Sequence, residues 1–308
     1  MENPIKVYLI IVTYNAMKWA ERCFSSLRRS SVHVEVIVVD NGSTDGTQEF
    51  IKTQFPEVEF IQSAENLGFG KANNLGIEIA YKKGADFFYL MNQDAWIFED
   101  SIEKLIDVYK GYPKQEEIGI LSPMHLDGSE KKLDIFLDKY IAQNFETRLI
   151  SDLYLQAVKE LYEMKFIDAA HWFIPKDTIE KVGGFNPYFF HYGEDNEYVN
   201  RLHFHGKKIL LCPKSKVVHD GKQDLAKVDY VKFKNLAIET KIIDPSYKNG
   251  LKNELKELNL SRLKCLVAGK FSTAKAISKK YYKIKAENAK LTEIREKASL
   301  PGPTFLEL

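Results

Sequence analysis

The chain has 308 residues, a formal net charge of +1 at pH 7, 44% hydrophobic residues and 28% charged residues. That is the profile of a soluble globular protein with room for one large domain and an appendage, and it makes no electrostatic case for nucleic acid as a partner. Cys23, Cys212 and Cys265 are widely spaced with no CxxC pair, which excludes a zinc ribbon, argues against a disulfide framework and points to a reducing, cytoplasmic setting.

Met1-Glu2-Asn3-Pro4 starts acidic and leads straight into a strand, without the basic and apolar regions of a signal peptide. No apolar run approaches the ~20 residues a membrane span needs. Residues 7–13 are apolar and β-branched, as in a strand buried on both faces. A helix is predicted over 16–28 and a second strand over 34–39. Asp40-Asn41-Gly42-Ser43 then turns into a helix over 47–54, with Ser43 or Asp45 as its cap. A strand over 58–61 is followed by the glycine-bearing loop Asn66-Leu67-Gly68-Phe69-Gly70, a helix over 71–83 and a strand over 87–91. Strand–helix alternation of this kind predicts an α/β fold with a mostly parallel sheet and crossover helices.

The second half is more mixed. A helix is predicted over 99–109 and a strand over 118–121. Residues 126–164 are polar, lysine-rich and unassigned, as for an excursion over an acceptor site. A strand over 166–175 precedes a helix over 176–182 that Gly183-Gly184 stops. A helix over 194–205 ends at Gly206. Strands are predicted over 208–212 and 216–218, and from about Asp224 the pattern is helical.

Ligands in open α/β sheets bind outside the carboxyl ends of strands. Asp40 and Asp94 both stand at such ends. Asp40 suits a base N–H or a ribose hydroxyl, or it forms the Asn-Gly turn. Asp94 comes after Asn92-Gln93 and suits a divalent cation that also takes phosphate oxygens, or it caps the helix beyond. Glu194, Asp195 and Glu197 open a helix, where acids suit the helix dipole. Behind the lead-in Gly183-Gly184-Phe185, a carboxylate there also suits a general base. His219 ends a strand and is either structural or a metal ligand. GxGxxG after the first strand and GxxxxGK[ST] are both missing, which disfavours a dehydrogenase and a P-loop enzyme.

In order along residues 5–220, these landmarks resemble the inverting family 2 glycosyltransferases of GT-A fold, closest to rhamnosyltransferase-like bacterial members that build surface polysaccharides. The resemblance implies a catalytic domain over 1–223, with a nucleotide-binding half over 1–95 and an acceptor-side half over 96–223, and then a helical, basic extension over 224–308. It implies donor binding by Thr13, Tyr14, Asn15, Asp40, Asn66, Gly68, Lys71, Asn92 and Gln93, with Asn92 in place of the first acid of the family's Asp-x-Asp motif. It implies a divalent metal, Mn²⁺ or Mg²⁺, on Asp94 and His219. It implies catalysis by Asp195 as base, supported by Glu194. Trp172 and His191 are candidates for the acceptor side, Trp172 also for the core. The expected partners are a UDP- or dTDP-sugar and a saccharide or lipid-linked saccharide acceptor. A sugar nucleotidyltransferase would need glycine and cations in the first loop, where Thr13-Tyr14-Asn15-Ala16 stands. A non-catalytic scaffold would be expected to lack Asp94 and Asp195.

Residues 262–297 carry eleven Lys/Arg against three acids. Apolar residues recur there every three to four positions, among them Leu263, Leu266, Val267, Phe271, Ala274, Ile284 and Leu291, as on amphipathic helices. Two uses are open: docking on an anionic membrane at the inner face of the cell membrane, or packing on the catalytic domain or on a second copy. Pro301-Gly302-Pro303 predicts a frayed end.

Overall fold

The computed structural model describes residues 4–221 and 230–308, the side chains of 230–235 excepted. The expected boundary at 223–224 lies outside the described residues. The first half alternates as predicted: β1 (Val7–Thr13), α1 (Met17–Leu27), β2 (Glu35–Asp40), α2 (Thr47–Gln54), β3 (Glu59–Gln62), α3 (Phe69–Lys82) and β4 (Phe87–Asn92). β5 (Ala95–Ile97), α4 (Ser101–Gly111) and β6 (Ile118–Leu126) come next. The unassigned segment holds α5 (Ile135–Gln143), α6 (Leu149–Tyr154) and β7 (Tyr162–Met164). Beyond it lie β8 (His171–Pro175), α7 (Lys176–Val182), α8 (Glu194–Phe204) and β9 (Lys208–His219). The chain ends in α9 (Tyr230–Ile243), α10 (Gly250–Val267), α11 (Phe271–Ala286) and α12 (Asn288–Ser299).

Among the described residues the strands form one sheet in the order β3-β2-β1-β4-β8-β6-β9-β5, with β7 beside β9. The first four are parallel, while β8 runs antiparallel to β4 and β6. β1 explains the two-layered covering. Its alternate residues Tyr8 and Ile10 join the core under α3, α7 and α8, and Val7, Leu9 and Ile11 join the one under α1, α2 and α4, as the period of two requires. α3 lies so close that a Cβ on Gly76 would sit 2.5 Å from Ile10 Cγ2.

Three strands differ from expectation. The strand expected over 166–175 begins only at His171, because 166–170 is a loop. The two strands expected over 208–218 are one, β9, whose pairing with β6 shifts register between Pro123 and Met124. β5 is three residues long, too short for a periodic signal, and is held by antiparallel pairing of Ala95 with His219.

The C-terminal helices pack on the domain. Ile242, Ile243, Ile284, Leu291 and Ala298 form a third core with Phe189, and Glu239 pairs with Lys280. The end of the chain is docked rather than frayed. Gly184 N donates to Thr304 O at 2.9 Å, Asn74 Nδ2 donates to Phe305 O at 3.1 Å, and the Arg201 guanidinium lies over the Phe305 ring.

Candidate active site

The carboxyl ends of β1, β2, β4, β6 and β9 meet at one edge of the sheet. There the loops after β1 and β2 are tied together. Thr13 Oγ1 donates to Asp40 Oδ2 at 2.8 Å, Asn15 N donates to Ser43 Oγ at 2.8 Å, and Thr44 N donates to Asn15 Oδ1 at 2.8 Å. Asn15 makes this link in the left-handed region, at φ 52°, where Asn is among the more tolerant residues. Asp40 is fully buried and saturated. Its carboxylate accepts from Thr13, from the backbone of Gly42 and Ser43, from the Ser43 hydroxyl and from Gln48 Nε2. A carboxylate has about four lone-pair sites, so Asp40 organises this loop rather than offering an empty acceptor to a ligand.

Gln93 joins the ends of β1 and β4: its Oε1 accepts from Tyr14 N at 2.7 Å and its Nε2 donates to Tyr14 O at 3.2 Å. That leaves the Tyr14 ring on the rim, 49% exposed. Asn66 is also occupied locally, its Oδ1 accepting from Gly68 N at 2.9 Å. Gly68, at φ +81°, has no room for a side chain, because a Cβ would meet Phe190 O at 2.2 Å. Phe69 N donates to the same carbonyl, so this loop is stapled to the one leading into α8. Lys71 is exposed in the first turn of α3, a position where the helix dipole favours a nearby anion.

Asp94 and His219, the two residues expected to hold a metal, stand together. The Ala95–His219 pairing brings His219 Nε2 to 3.7 Å from Asp94 Oδ1. Two donors each about 2.1 Å from one cation can stand at that separation. On the far side of the ring, His219 Nδ1 is 3.4 Å from Asp134 Oδ2. A carboxylate behind a metal-binding histidine fixes its tautomer and aims the other nitrogen. Asn92 Nδ2 lies 3.4 Å from His219 Nε2, and its Oδ1 is a buried acceptor with no hydrogen-bond partner among the described residues. Burial alone would depress the His219 imidazole. The Asp134 hydrogen bond and the charges of Asp94 and Asp168 outweigh it and push the group up to about 9. Without a cation the ring is therefore an imidazolium between carboxylates. Among the described residues no three His, Cys, Asp or Glu side chains gather as a metal-holding group. Asp94 and His219 would give a cation two protein ligands and leave its remaining positions to phosphate and water, as is usual for Mg²⁺ at phosphate sites.

Sequence reasoning missed the groups behind this pair. Asp134 is fully buried, caps α5 by accepting from the backbone N–H of Phe136 and Leu137, and turns its other oxygen to His219. Asp168, in the loop before β8, lies 4.0 Å from His125 Nδ1. Burial, then the charges of Asp134, Asp195 and Asp94, pushes its carboxyl up to about 7 against the lowering effect of His219. His125 and His171 are buried and kept neutral by burial. His171 links the strands, its Nε2 to Val218 O at 3.0 Å and its Nδ1 to the Tyr89 hydroxyl at 2.8 Å. The Asp-x-x-His spacing of Asp168 and His171 was the one signal available, and it is weak.

Glu194 and Asp195 open α8 after the left-handed pair Tyr192 and Gly193. Glu194 is buried against α3, where a Cβ on Gly70 would lie 3.7 Å from its own Cβ, and its Oε2 has no hydrogen-bond partner among the described residues. Burial and then the charge of Asp195 push Glu194 up to about 7. Asp195 is half-buried; its Oδ1 accepts from Asn196 N and Nδ2, and burial raises its carboxyl as well. Glu197 is more than a dipole partner. It pairs with Arg201 at 3.0 Å in full burial, and Arg201 also donates to Val182 O and Gly184 O, fixing the Gly-Gly-Phe lead-in.

Trp172 does not floor a sugar site. It is fully buried on β8, stacked on Phe185 with ring centroids 5.8 Å apart, because its position on the strand faces the α3–α8 core. His191 is exposed and lies against Tyr192, 4.0 Å between ring centroids.

The family model for glycosyl transferase family 2 matches residues 8–155. A Mycobacterium tuberculosis N-acetylglucosaminyl-diphospho-decaprenol L-rhamnosyltransferase is 27% identical over 232 residues, 68% of this chain and 75% of that protein. The dTDP-rhamnosyl transferase RfbF of Shigella flexneri is 25% identical over 215 residues, 69% of this chain and 68% of that protein. Among solved structures, the mannosyltransferase PcManGT from Pyrobaculum calidifontis, in complex with GDP-Man and Mn²⁺, aligns with a TM-score of 0.53 at 15% identity, covering 96% of this chain and 87% of that one. S. aureus TarS 1-349 aligns with a TM-score of 0.53 at 14% identity over 96% of this chain and 90% of that one, so the fold is GT-A. The gathered sheet edge, the GT-A fold and the matched domain agree: residues 8–155 are a family 2 glycosyl transferase domain, and the chain is similar to rhamnosyltransferases.

Proposed function

We propose that the protein transfers a sugar, with rhamnose the first candidate, from a UDP- or dTDP-sugar to a saccharide or lipid-linked saccharide acceptor in surface polysaccharide synthesis, with inversion at the anomeric carbon. The observation that carries this reading is that the Asp94–His219 pair and the Glu194–Asp195 pair at the start of α8 flank one buried carboxyl, Asp168, which feels the charges of both Asp94 and Asp195. The named relatives act on rhamnosyl donors, and one of them on a diphospho-decaprenol acceptor. That is the support for the donor class and for an acceptor presented at a membrane.

The tied loops after β1 and β2 would seat the nucleoside against Tyr14 and Asn15. Lys71 and the N-terminal turn of α3 would face the diphosphate. Asp94 and His219 would hold Mn²⁺ or Mg²⁺, which as a Lewis acid supplies charge neutralisation for the departing diphosphate. Asp195, with Oδ1 fixed by Asn196, would take the acceptor hydroxyl proton on Oδ2 as that oxygen attacks opposite the diphosphate. Burial of Glu194 raises the barrier to a second charge beside Asp195, so the pair works best with one negative charge.

The pH profile tests the base. Burial raises the Asp195 carboxyl above the usual carboxylate range, and a protonated base cannot take the acceptor proton, so transfer should fall as pH drops through that raised pKa. Asp195→Asn should lower kcat by at least ~10²-fold at every pH and leave nucleotide affinity nearly intact. Near-normal turnover by Asp195→Asn would remove Asp195 as the base.

A further inference from the structure

The basic tail divides in two. Ala274, Ile284 and Leu291 are buried, and the last two belong to the third core. These positions serve packing on the domain. The outer part of the α10–α11 hairpin does not. Leu260, Leu263 and Leu266 at the end of α10 are exposed, Val267 is 91% exposed, and Phe271 at the start of α11 is 68% exposed. The connecting turn closes through Lys270 N donating to Cys265 O at 2.8 Å. Gly269 in that turn has φ +68°, and a Cβ there would find nothing within 4 Å, so the turn projects into open space.

The charge around this tip has one sign. Residues 258–286 contain eight Lys/Arg and no Asp or Glu. Lys264, Lys270 and Lys275 are exposed, and among the described residues no carboxylate lies within ion-pair distance of them. Leu260, Leu263, Leu266, Val267 and Phe271 together leave apolar surface in water, which marks an interaction surface more than singly exposed residues do. It fits a surface that is anionic outside and apolar beneath. Lysine stems lie along apolar surface while their ammonium groups reach polar headgroups. A second copy of the chain fits less well, because a two-fold contact pairs the same patch with itself and would bring cations against cations.

We propose that the α10–α11 tip docks on an anionic lipid surface, with Val267 and Phe271 entering the headgroup boundary and Lys264, Lys270 and Lys275 facing the lipid phosphates. The inference extends the proposed function, since a lipid-linked acceptor would lie in that surface. Its test is independent of catalysis.

The experiment is co-sedimentation of the full chain with vesicles of phosphatidylcholine alone or mixed with phosphatidylglycerol. The expected result is partition onto the mixed vesicles only, weakened by salt. Replacing Lys264, Lys270 and Lys275 with Gln should reduce it by about 10²-fold, at roughly fivefold per lysine. The double variant Val267→Ser/Phe271→Ser should reduce it at least tenfold. All five positions are exposed, so the variants should fold, and transfer to a water-soluble acceptor should be unchanged in them. Equal vesicle binding by the parent chain and both variants would overturn the proposal. So would no binding to anionic vesicles, or a dimer in solution that Val267→Ser/Phe271→Ser converts to monomer, which would make the tip a self-interface. Loss of transfer in the parent chain with vesicle binding intact would contradict the proposed function and leave this inference standing.

Discussion

Asp134 carries two tasks on one carboxylate. One oxygen caps α5 and the other stands behind His219. Asp134→Asn keeps an acceptor for the cap but presents an N–H to His219 Nδ1. That would favour the tautomer with its proton on Nε2, the nitrogen facing Asp94. We expect Mn²⁺ affinity, measured by electron paramagnetic resonance of the free ion, to fall about 10–100-fold with the melting temperature nearly unchanged. Asp134→Ala should lose both, the missing cap costing about 1 kcal/mol. Unchanged Mn²⁺ affinity in Asp134→Asn would separate Asp134 from the metal site. Asp134 was illegible in the sequence because it lies in a polar, lysine-rich stretch and its partner is at the end of a distant strand. Asp94 and His219 were legible because strand ends are marked by apolar runs. Asp40 was legible as a strand-end acid, but its saturation by five local donors was not, since those bonds depend on how the two loops fold together.

At the level of elements, the apolar, β-branched runs gave the parallel half nearly to the residue, and the helix over 176–182 matches as well. What escaped was set by partners far away in the chain. β5 exists by pairing with β9, and the docked C-terminus exists by pairing with the Gly183-Gly184 turn. Pro301-Gly302-Pro303 reads as an end in sequence, yet it steers the last residues back to that turn. Gly183 has φ +87°, and a Cβ there would lie 2.0 Å from Thr304 O. Gly183→Ala should therefore cost more in the full chain than in a chain ending at Leu300. In the shortened chain only the backbone penalty of about 1–3 kcal/mol for a side chain in this glycine-only region remains. Urea unfolding of the four combinations measures the difference, and additive losses would mean that the last residues do not brace the turn.

For the whole molecule, the sheet decides what meets at the site. The parallel strands β1, β2 and β4 bring the loops that follow them to one edge. The mixed strands β6, β8 and β9 bring Asp134, Asp168 and His219 to the same edge from the other half. α8, braced by the buried Glu197–Arg201 pair, adds Glu194 and Asp195. Among the described residues no helix is long and apolar enough to cross a membrane, and the tail helices cover the domain around Phe189. The order of landmarks in the sequence was enough to read this architecture, because each parallel strand end leads into its own loop. The buried charge network was not readable, because it joins the ends of the parallel strands β6 and β9 with the loop before antiparallel β8, positions far apart in the chain.

The most direct test is a thermal-shift panel of UDP, dTDP, GDP, CDP and ADP, each with and without Mn²⁺. A ligand that binds only the folded chain stabilises it by about 2.7 kcal/mol at a hundredfold excess over Kd. The account predicts a shift with a pyrimidine diphosphate, UDP or dTDP, that requires Mn²⁺ and is lost in Asp94→Ala. A shift of equal size without the metal or in Asp94→Ala, or no shift with any nucleotide in a folded sample, would contradict it.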